Sequence, residues 1–383
     1  MKSSPIIFKK ALIFFSLLLL IIVVSEISYE IFGNHSENKA EIKKLTITDE
    51  MSVAAYGNLN KISQPALLSI FNIKQLTDTN KNINSFGFNK SEILTKTKVV
   101  VAEFEEEHSK NPIRYTIHFI LCILFLTVVF YFIRKSKLNS TNRKYFYLFA
   151  IIVFGLGFNS SPSPMGPLND TISLFGNIQE IIHPRLFAIL TYLALVIVAN
   201  KFICSWVCQI GVLQDFIFRI NRNKEGNKSL IRQLKMPFIL SNSIRISFFI
   251  ATSVISFLWA INIINFINPF LIFNASQIQF FSWFFIIGIF VISIFIYRPW
   301  CYLLCPFGLL SWLFEKLSIY KIRVNFKTCT HCEACTKSCP SDTMKAILAQ
   351  KKTIPDCFSC GTCMDKCPTH SIKFNTRKEL QSK

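Results

Sequence analysis

Long apolar runs separated by short charged loops dominate the chain. Six stand out, at residues 6–24, 113–133, 145–158, 186–204, 244–267 and 280–297. Lipid offers the backbone no water to bond, so runs of this length are expected as helices that satisfy their own N–H and C=O groups. None alternates with the period of two that a membrane barrel needs. The run at 145–158 is the shortest. The run at 6–24 has the basic start of a signal peptide, with Lys2, Lys9 and Lys10, but Ser25-Glu26-Ile27-Ser28-Tyr29 follows without a small-residue cleavage site. A retained anchor is therefore expected.

Loop charge orients these helices. The loop after the second run carries Arg134, Lys135, Lys137, Arg143 and Lys144 without an acid. The loop after the fourth carries Arg219, Arg222, Lys224, Lys228, Arg232 and Lys235 against Asp215 and Glu225. Residues 159–183 hold Asp170 and Glu180 but no Lys or Arg, and residues 268–279 hold no charge. The bias of Lys and Arg toward the cytoplasmic side then places both termini in the cytoplasm. Residues 34–111 fall outside. They mix Lys with Glu, contain no cysteine and alternate over 98–104, which suggests a small α+β domain. The acidic run at 103–107 is expected as a solvated face rather than a dock for a basic partner. The resulting plan is an anchor (1–33), an exocytoplasmic domain (34–111), a transmembrane core (112–320) and a C-terminal domain (321–383).

Composition supports that plan. The 383 residues are 51% hydrophobic and 17% charged, against about a quarter charged in soluble domains, and the 39 Phe fall mostly in the apolar runs. A net charge of +20 would suit nucleic acid, but Lys and Arg flank apolar segments instead of forming a basic domain. Nucleic acid is excluded as a partner, and membrane lipid is expected.

Twelve of the 13 cysteines lie in Cys-x-x-Cys or Cys-x-x-x-Cys groups. Such spacing suits metal binding in a reducing compartment better than a disulfide framework. Cys329, Cys332, Cys335 and Cys339 form Cys-x-x-Cys-x-x-Cys-x-x-x-Cys-Pro, and Cys357, Cys360, Cys363 and Cys367 repeat it, with Pro340 and Pro368 after each fourth cysteine. This is the bacterial ferredoxin pattern, in which the fourth cysteine ligates the other cluster. Cys329, Cys332, Cys335 and Cys367 are thus expected to hold one [4Fe-4S] cluster, and Cys357, Cys360, Cys363 and Cys339 a second. Iron bound in this way supplies much of such a domain's folding energy. Zinc, which prefers two separated pairs, fits the spacing poorly. Ala334 and Gly361 leave room for backbone near the sulfides. His331 is expected at the surface or as a donor to sulfur.

Two further motifs sit at helix ends: Cys204-Ser-Trp-Val-Cys208 and Cys301-Tyr-Leu-Leu-Cys305-Pro306. The i, i+4 spacing puts each pair of thiols on one helical face. Trp206 and Trp300 accompany them, and Ile210-Gly211-Val212-Leu213 matches Phe307-Gly308-Leu309-Leu310. The motifs read as an internal repeat that brings Cys204, Cys208, Cys301 and Cys305 together as a metal or redox dithiol site. Four packed apolar thiols are the alternative. Cys122 and His118, one turn apart, and His183 near an outer face are read as packed residues before haem or quinone contacts.

These motifs, with Arg298-Pro-Trp and Asn268-Pro269-Phe270, resemble the NapH/NosR family of membrane polyferredoxins over residues 145–373. Gln209 stands where that family has proline. The resemblance implies a helical membrane bundle of about six transmembrane helices with a C-terminal 2[4Fe-4S] ferredoxin-like domain. It implies electron transfer from quinol or a cytoplasmic donor, in support of a respiratory reductase or its maturation, by a subunit rather than a stand-alone enzyme. The flavin-attachment signature of NosR-like proteins is absent, so FMN is not expected. CcoG-like relatives share the motifs and imply the alternative of a copper reductase for oxidase assembly. No acid–base or nucleophile constellation is visible, so no catalytic residue is expected.

Overall fold

In a computed structural model, the described residues are 112–158, 164–168, 171–172, 183–220, 233–259, 263–273, 278–377 and 379, with 45–48, most of 51–101 and scattered positions between 16 and 23. Most of the first apolar run, the acidic run and the 221–232 loop lie outside them.

The segment expected outside the membrane packs helix α1 (Val53–Asn60) on α2 (Gln64–Ile70) around Val53, Tyr56, Leu67, Ile70, Phe71 and Ile83. Ser52 caps α1 through its side chain. Among the described residues this segment contains no strand, only a bridge between Ser52 and Asn82. The alternating stretch at 98–104 falls mostly outside the described residues, and its described positions, 100 and 101, are helical.

Among the described residues, two helices are long and apolar enough to cross a membrane: Thr116–Arg134, within α3 (Pro112–Arg134), and Phe238–Phe257, within α8 (Phe238–Trp259). Leu186–Ala199 and Phe280–Phe295 are apolar but shorter. Ile117, Ile120, Ile123, Leu124, Phe280, Phe281 and Phe284 stand exposed on these helices. The run at 145–158 forms α4 (Ser140–Ala150), which passes into a π-helical stretch, Ile151–Gly157. Near the end of that stretch the Phe154 carbonyl accepts from Gln209 Nε2 at 3.2 Å. This gives Gln209 a structural task that proline could not perform.

The core is built from two copies of one unit. The first is α5 (His183–Ala199), α6 (Phe202–Trp206) and α7 (Gln209–Ile220). After α9 (Ile263–Phe266) comes the second: α10 (Phe280–Phe295), α11 (Pro299–Leu303) and α12 (Pro306–Glu315). They interlock reciprocally, α7 packing on α10 and α12 on α5. Helix α4 covers the first unit, and α8 the second.

The C-terminal domain is closed by antiparallel β1 (Lys321–Val324) and β2 (Ile372–Asn375), with Lys321 opposite Asn375 and Val324 opposite Ile372. Between them lie α13 (Ala334–Ser338), α14 (Thr343–Leu348) and α15 (Thr362–Asp365). The domain is seated on the core. Ile319 and Tyr320 donate their N–H groups to the Ile197 and Val198 carbonyls at 2.8 and 3.0 Å, satisfying the end of α5. Phe130 of α3 meets Tyr320 and Phe374 edge-on.

Candidate metal centre

The two cysteine loops of the C-terminal domain share one backbone. His331 and Ser359, the second spacer residues of each first Cys-x-x-Cys, have φ of 54° and 47°, and Glu333 and Gly361 have 56° and 73°. Left-handed residues at such intervals turn successive N–H groups inward, the geometry that surrounds anions and iron–sulfur centres. A Cβ on Gly361 would meet Leu138 Cδ2 at 3.0 Å, so glycine serves both the backbone angle and the close packing.

Cys339, Cys357, Cys360 and Cys363 line one cavity, with Phe358, Ser359, Thr362 and Met344 among its walls. The fourth cysteine of the first run is thus brought to the first three of the second. On the other side, Cys335 feels the charges of Cys367 and Cys329, so Cys367 returns to the first loop. Each tail cysteine is free. Hydroxyls two residues on contact three of the sulfurs: Ser341 with Cys339 at 3.5 Å, Thr362 with Cys360 at 3.3 Å and Thr369 with Cys367 at 3.6 Å. The Cys-Pro-Ser and Cys-Pro-Thr echo in the sequence could have revealed two of these partners.

The donor set fits [4Fe-4S] clusters. Arg143 is 2% exposed, and its Nε and Nη2 have no partner among the described residues. Its Nη2 lies 4.0 Å from where a Gly361 Cβ would stand. A guanidinium buried without a counter-charge is costly, and an anionic cluster beside it removes the cost. The sequence reading used Arg143 only as a loop charge; its helix instead folds it under the cysteine loop. Burial raises the Cys360 thiol, but the Arg219 and Arg143 charges outweigh this and hold it below its usual value. Among the described residues no three His, Cys, Asp or Glu side chains are grouped to hold a single ion.

Exposure separates the two sides. Cys332 and His331 are exposed in the first loop, whereas Asp356, Phe358, Ser359 and Cys363 in the second are buried against the core. Asp356 pairs with Lys201 and with Arg245, whose Nη2 is 3.2 Å away, and all three are at most 1% exposed. Burial opposes the Asp356 charge, but the two cations hold its carboxyl below the usual range. Trp206 Nε1 donates to the Ser359 carbonyl at 3.4 Å, and the Cys357 N–H donates to Glu315 at 3.1 Å. Burial raises Glu315 to about 8.

A second cavity lies in the core. Cys204, Cys208, Cys301 and Cys305 all line it, with Lys201, Trp300, Phe270, Phe307 and Phe358. Phe358 therefore forms a wall of both cavities. Cys122 lines neither, and His118 is packed against Phe154 and Phe158, with centroids 5.4 and 4.6 Å away. The His183 side chain lies outside the described residues. Lys201, Arg245, Asp215, Asp356 and Phe358 were not anticipated as site residues. The available signal was charge set within or beside apolar runs, which is expensive without a partner.

Comparison with known proteins agrees with this geometry. A family model described as a 4Fe-4S dicluster domain matches residues 321–368, and one described as a 4Fe-4S binding domain matches twice, at 182–228 and 278–327. The Escherichia coli (strain K12) protein named "Putative electron transport protein YccM" is 28% identical over 192 residues, 47% of this chain and 52% of its own length. The methylamine utilization ferredoxin-type protein MauN of Paracoccus denitrificans is 26% identical over 158 residues, 40% of this chain and 53% of its own length. The chain thus spans about half the length of these two relatives. No solved structure matches it. The C-terminal residues 321–368 thus carry a 4Fe-4S dicluster domain, in agreement with the cysteine geometry.

Proposed function

We propose that the protein is a multi-pass membrane subunit that moves electrons between the ferredoxin domain and the membrane core, serving a respiratory reductase or its maturation in the manner of the NapH/NosR family. One observation carries this reading: the cysteine loop that includes Cys357, Cys360 and Cys363 is buried against the core, and Phe358 separates its cavity from that of the core thiols. Cys329, Cys332, Cys335 and Cys367 hold the solvent-facing cluster, and Cys357, Cys360, Cys363 and Cys339 the core-facing one. Bound clusters supply one-electron chemistry there. The protein residues fix their order, exclude water from the inner loop and place hydroxyl donors on the sulfurs. The exposed loop faces a cytoplasmic partner, and quinol or the reductase meets the membrane side.

The experiment is anaerobic purification of the full chain in detergent, with iron counted per chain. Exchanging Cys335 and Cys363 together for serine is expected to remove about eight iron atoms. Unchanged iron would refute the ferredoxin assignment. The copper-reductase reading has one observation in its favour, the meeting of four thiols at one core cavity. Copper reduction lost on changing those four to serine, with electron flow to the reductase intact, would favour it.

A further inference from the structure

Each copy of the twice-matched 4Fe-4S model contains only two cysteines, Cys204 and Cys208 in one and Cys301 and Cys305 in the other. Neither half can complete a four-thiolate site. The fold joins the halves so that all four thiols line a single cavity. We propose that Cys204, Cys208, Cys301 and Cys305 together ligate a third [4Fe-4S] cluster, shared between the two halves of the core.

The surroundings are built alike on both sides. The N–H of Gly308 donates to Cys305 Sγ at 3.3 Å, and that of Gly211 bonds Cys208 in the same way. Backbone donors of this kind favour thiolate sulfur and tune bound clusters. A Cβ on Gly211 would stand 2.4 Å from the Cys204 carbonyl oxygen, and one on Gly308 2.7 Å from that of Cys301. Each second helix therefore lies directly on the turn that carries its first cysteine. Both turns are held by cations. Arg298 Nη1 donates to the Cys204 carbonyl at 2.8 Å, and Arg245 Nη1 to the Cys301 carbonyl at 3.4 Å.

The halves also cross-link reciprocally. Lys201 and Arg298 each stand three residues before the first cysteine of their own motif. Lys201 Nζ donates to the Gly308 carbonyl of the other half at 3.0 Å, and Arg298 reaches Cys204 and Ser205. These cations also pair with Asp356 and Asp215, so the turns are fixed by a charge-balanced frame on both sides of the cavity. Trp300 Nε1 is buried without a partner among the described residues, and the Trp300 side chain lines the cavity. It is a donor suited to a sulfide.

The donor set selects the cofactor class. Among the described residues no His, Asp or Glu lines this cavity, so the metal-ligating groups there are soft thiols. The thiols are not grouped for one ion, and the same holds for the ferredoxin cysteines. A cubane sets its four thiolates on four separate irons and suits that spread. Its place as a relay rests on the electron-transfer reading above: Phe358 is shared with the ferredoxin cavity. One electron leaves one centre as the other gains it, and no bond or proton changes hands.

The test uses the full chain, purified without oxygen in detergent, with iron, sulfide, zinc and copper measured per chain. The parent is expected to hold about twelve irons. The Cys204→Ser/Cys301→Ser variant should keep about eight and retain the ferredoxin signals in electron paramagnetic resonance. If that variant does not accumulate, Cys335→Ser/Cys363→Ser decides the matter by retaining about four irons. A parent with about eight irons, or one zinc or copper ion per chain beside eight irons, overturns the third cluster and leaves the two-cluster reading standing. Iron that resists the tail substitutions would instead overturn the ferredoxin assignment.

Discussion

Exchange of Asp356 for asparagine tests whether the ferredoxin domain is held to the core by charge. Asp356 is fully buried and pairs with Lys201 and Arg245, both 1% exposed. Asparagine preserves shape but leaves two cations in a dry site. Breaking a buried pair costs about 3–5 kcal/mol. Glu315 lies 3.8 Å from Lys201, and Arg245 keeps the Asn242 side chain at 2.8 Å, so the lower end, about 3 kcal/mol, is expected. At about 1.4 kcal/mol per tenfold, docking weakens by about a hundredfold. Hydrogen–deuterium exchange of residues 356–363 reads this, since that stretch is buried or half-buried while the domain is seated. The control is Asp342→Asn, whose pair with Lys235 spans the same interface at 3.9 Å but is 39–40% exposed. It should cost less than about 1 kcal/mol. Exchange in Asp356→Asn that matches this control would refute charge-held docking.

Three further outcomes follow from the geometry. Gly308→Ala gains about 1 kcal/mol of helix propensity but forces backbone overlap at the Cys301 carbonyl costing about 1–3 kcal/mol, so thermal stability should fall rather than rise; an increase would show that the turn can yield. Thr362→Val removes the hydroxyl at Cys360 Sγ and should lower the reduction potential of the core-facing cluster, while Thr369→Val lowers that of the solvent-facing one; redox titration with both potentials unchanged would show that these contacts do not tune the clusters. Burial raises the Asp215 carboxyl, but Arg219 and Arg298 outweigh it and hold it well below its usual value. Its contribution is therefore complete above about pH 4 and lost as pH falls through the lowered value. The stability gap between parent and Asp215→Asn, followed by acid denaturation, should be constant from pH 7 to about 4 and close below that; a gap that closes near neutrality would contradict the assignment.

Much of the site was legible because iron–sulfur ligation leaves a local pattern. Three cysteines at short intervals and a fourth before proline name a cluster loop without tertiary information. The paired Cys-x-x-x-Cys motifs were visible as a repeat, since Trp206 and Trp300, Gly211 and Gly308 keep company with them. Their meeting at one cavity was a matter of tertiary packing, set by the crossing of α7 on α10 and α12 on α5. The charged partners were hidden for a related reason. Arg143 and Lys201 sit at helix ends, where basic residues ordinarily report membrane sidedness, and only the seated ferredoxin domain buries them. The segment around residues 45–101 had no comparable signal. Its core of Val53, Tyr56, Leu67 and Phe71 draws on helices of eight and seven residues, too short for periodicity to separate from loop.

The two ferredoxin loops also encode which of them meets the core. Their cysteines and backbone angles coincide, so the difference lies in the residues between and before the ligands. Thr328, Thr330 and His331 accompany Cys329, and Asp356, Phe358 and Ser359 take their places around Cys357. Thr330 and His331 are exposed, and Thr328 bonds only within its own domain, to Asn325 and Ser371. Asp356 has the charge to meet Lys201 and Arg245, Phe358 the apolar bulk to sit under Arg298 at 4.6 Å, and Ser359 the hydroxyl that accepts from Asn200 Nδ2 at 3.4 Å. Three side chains thus turn one copy of a repeated loop into a docking surface and leave the other exposed. Equal loops would seat either way round, and the order of the two clusters relative to the core would be undefined. The divergence at these three positions accounts for which loop is seated on the core.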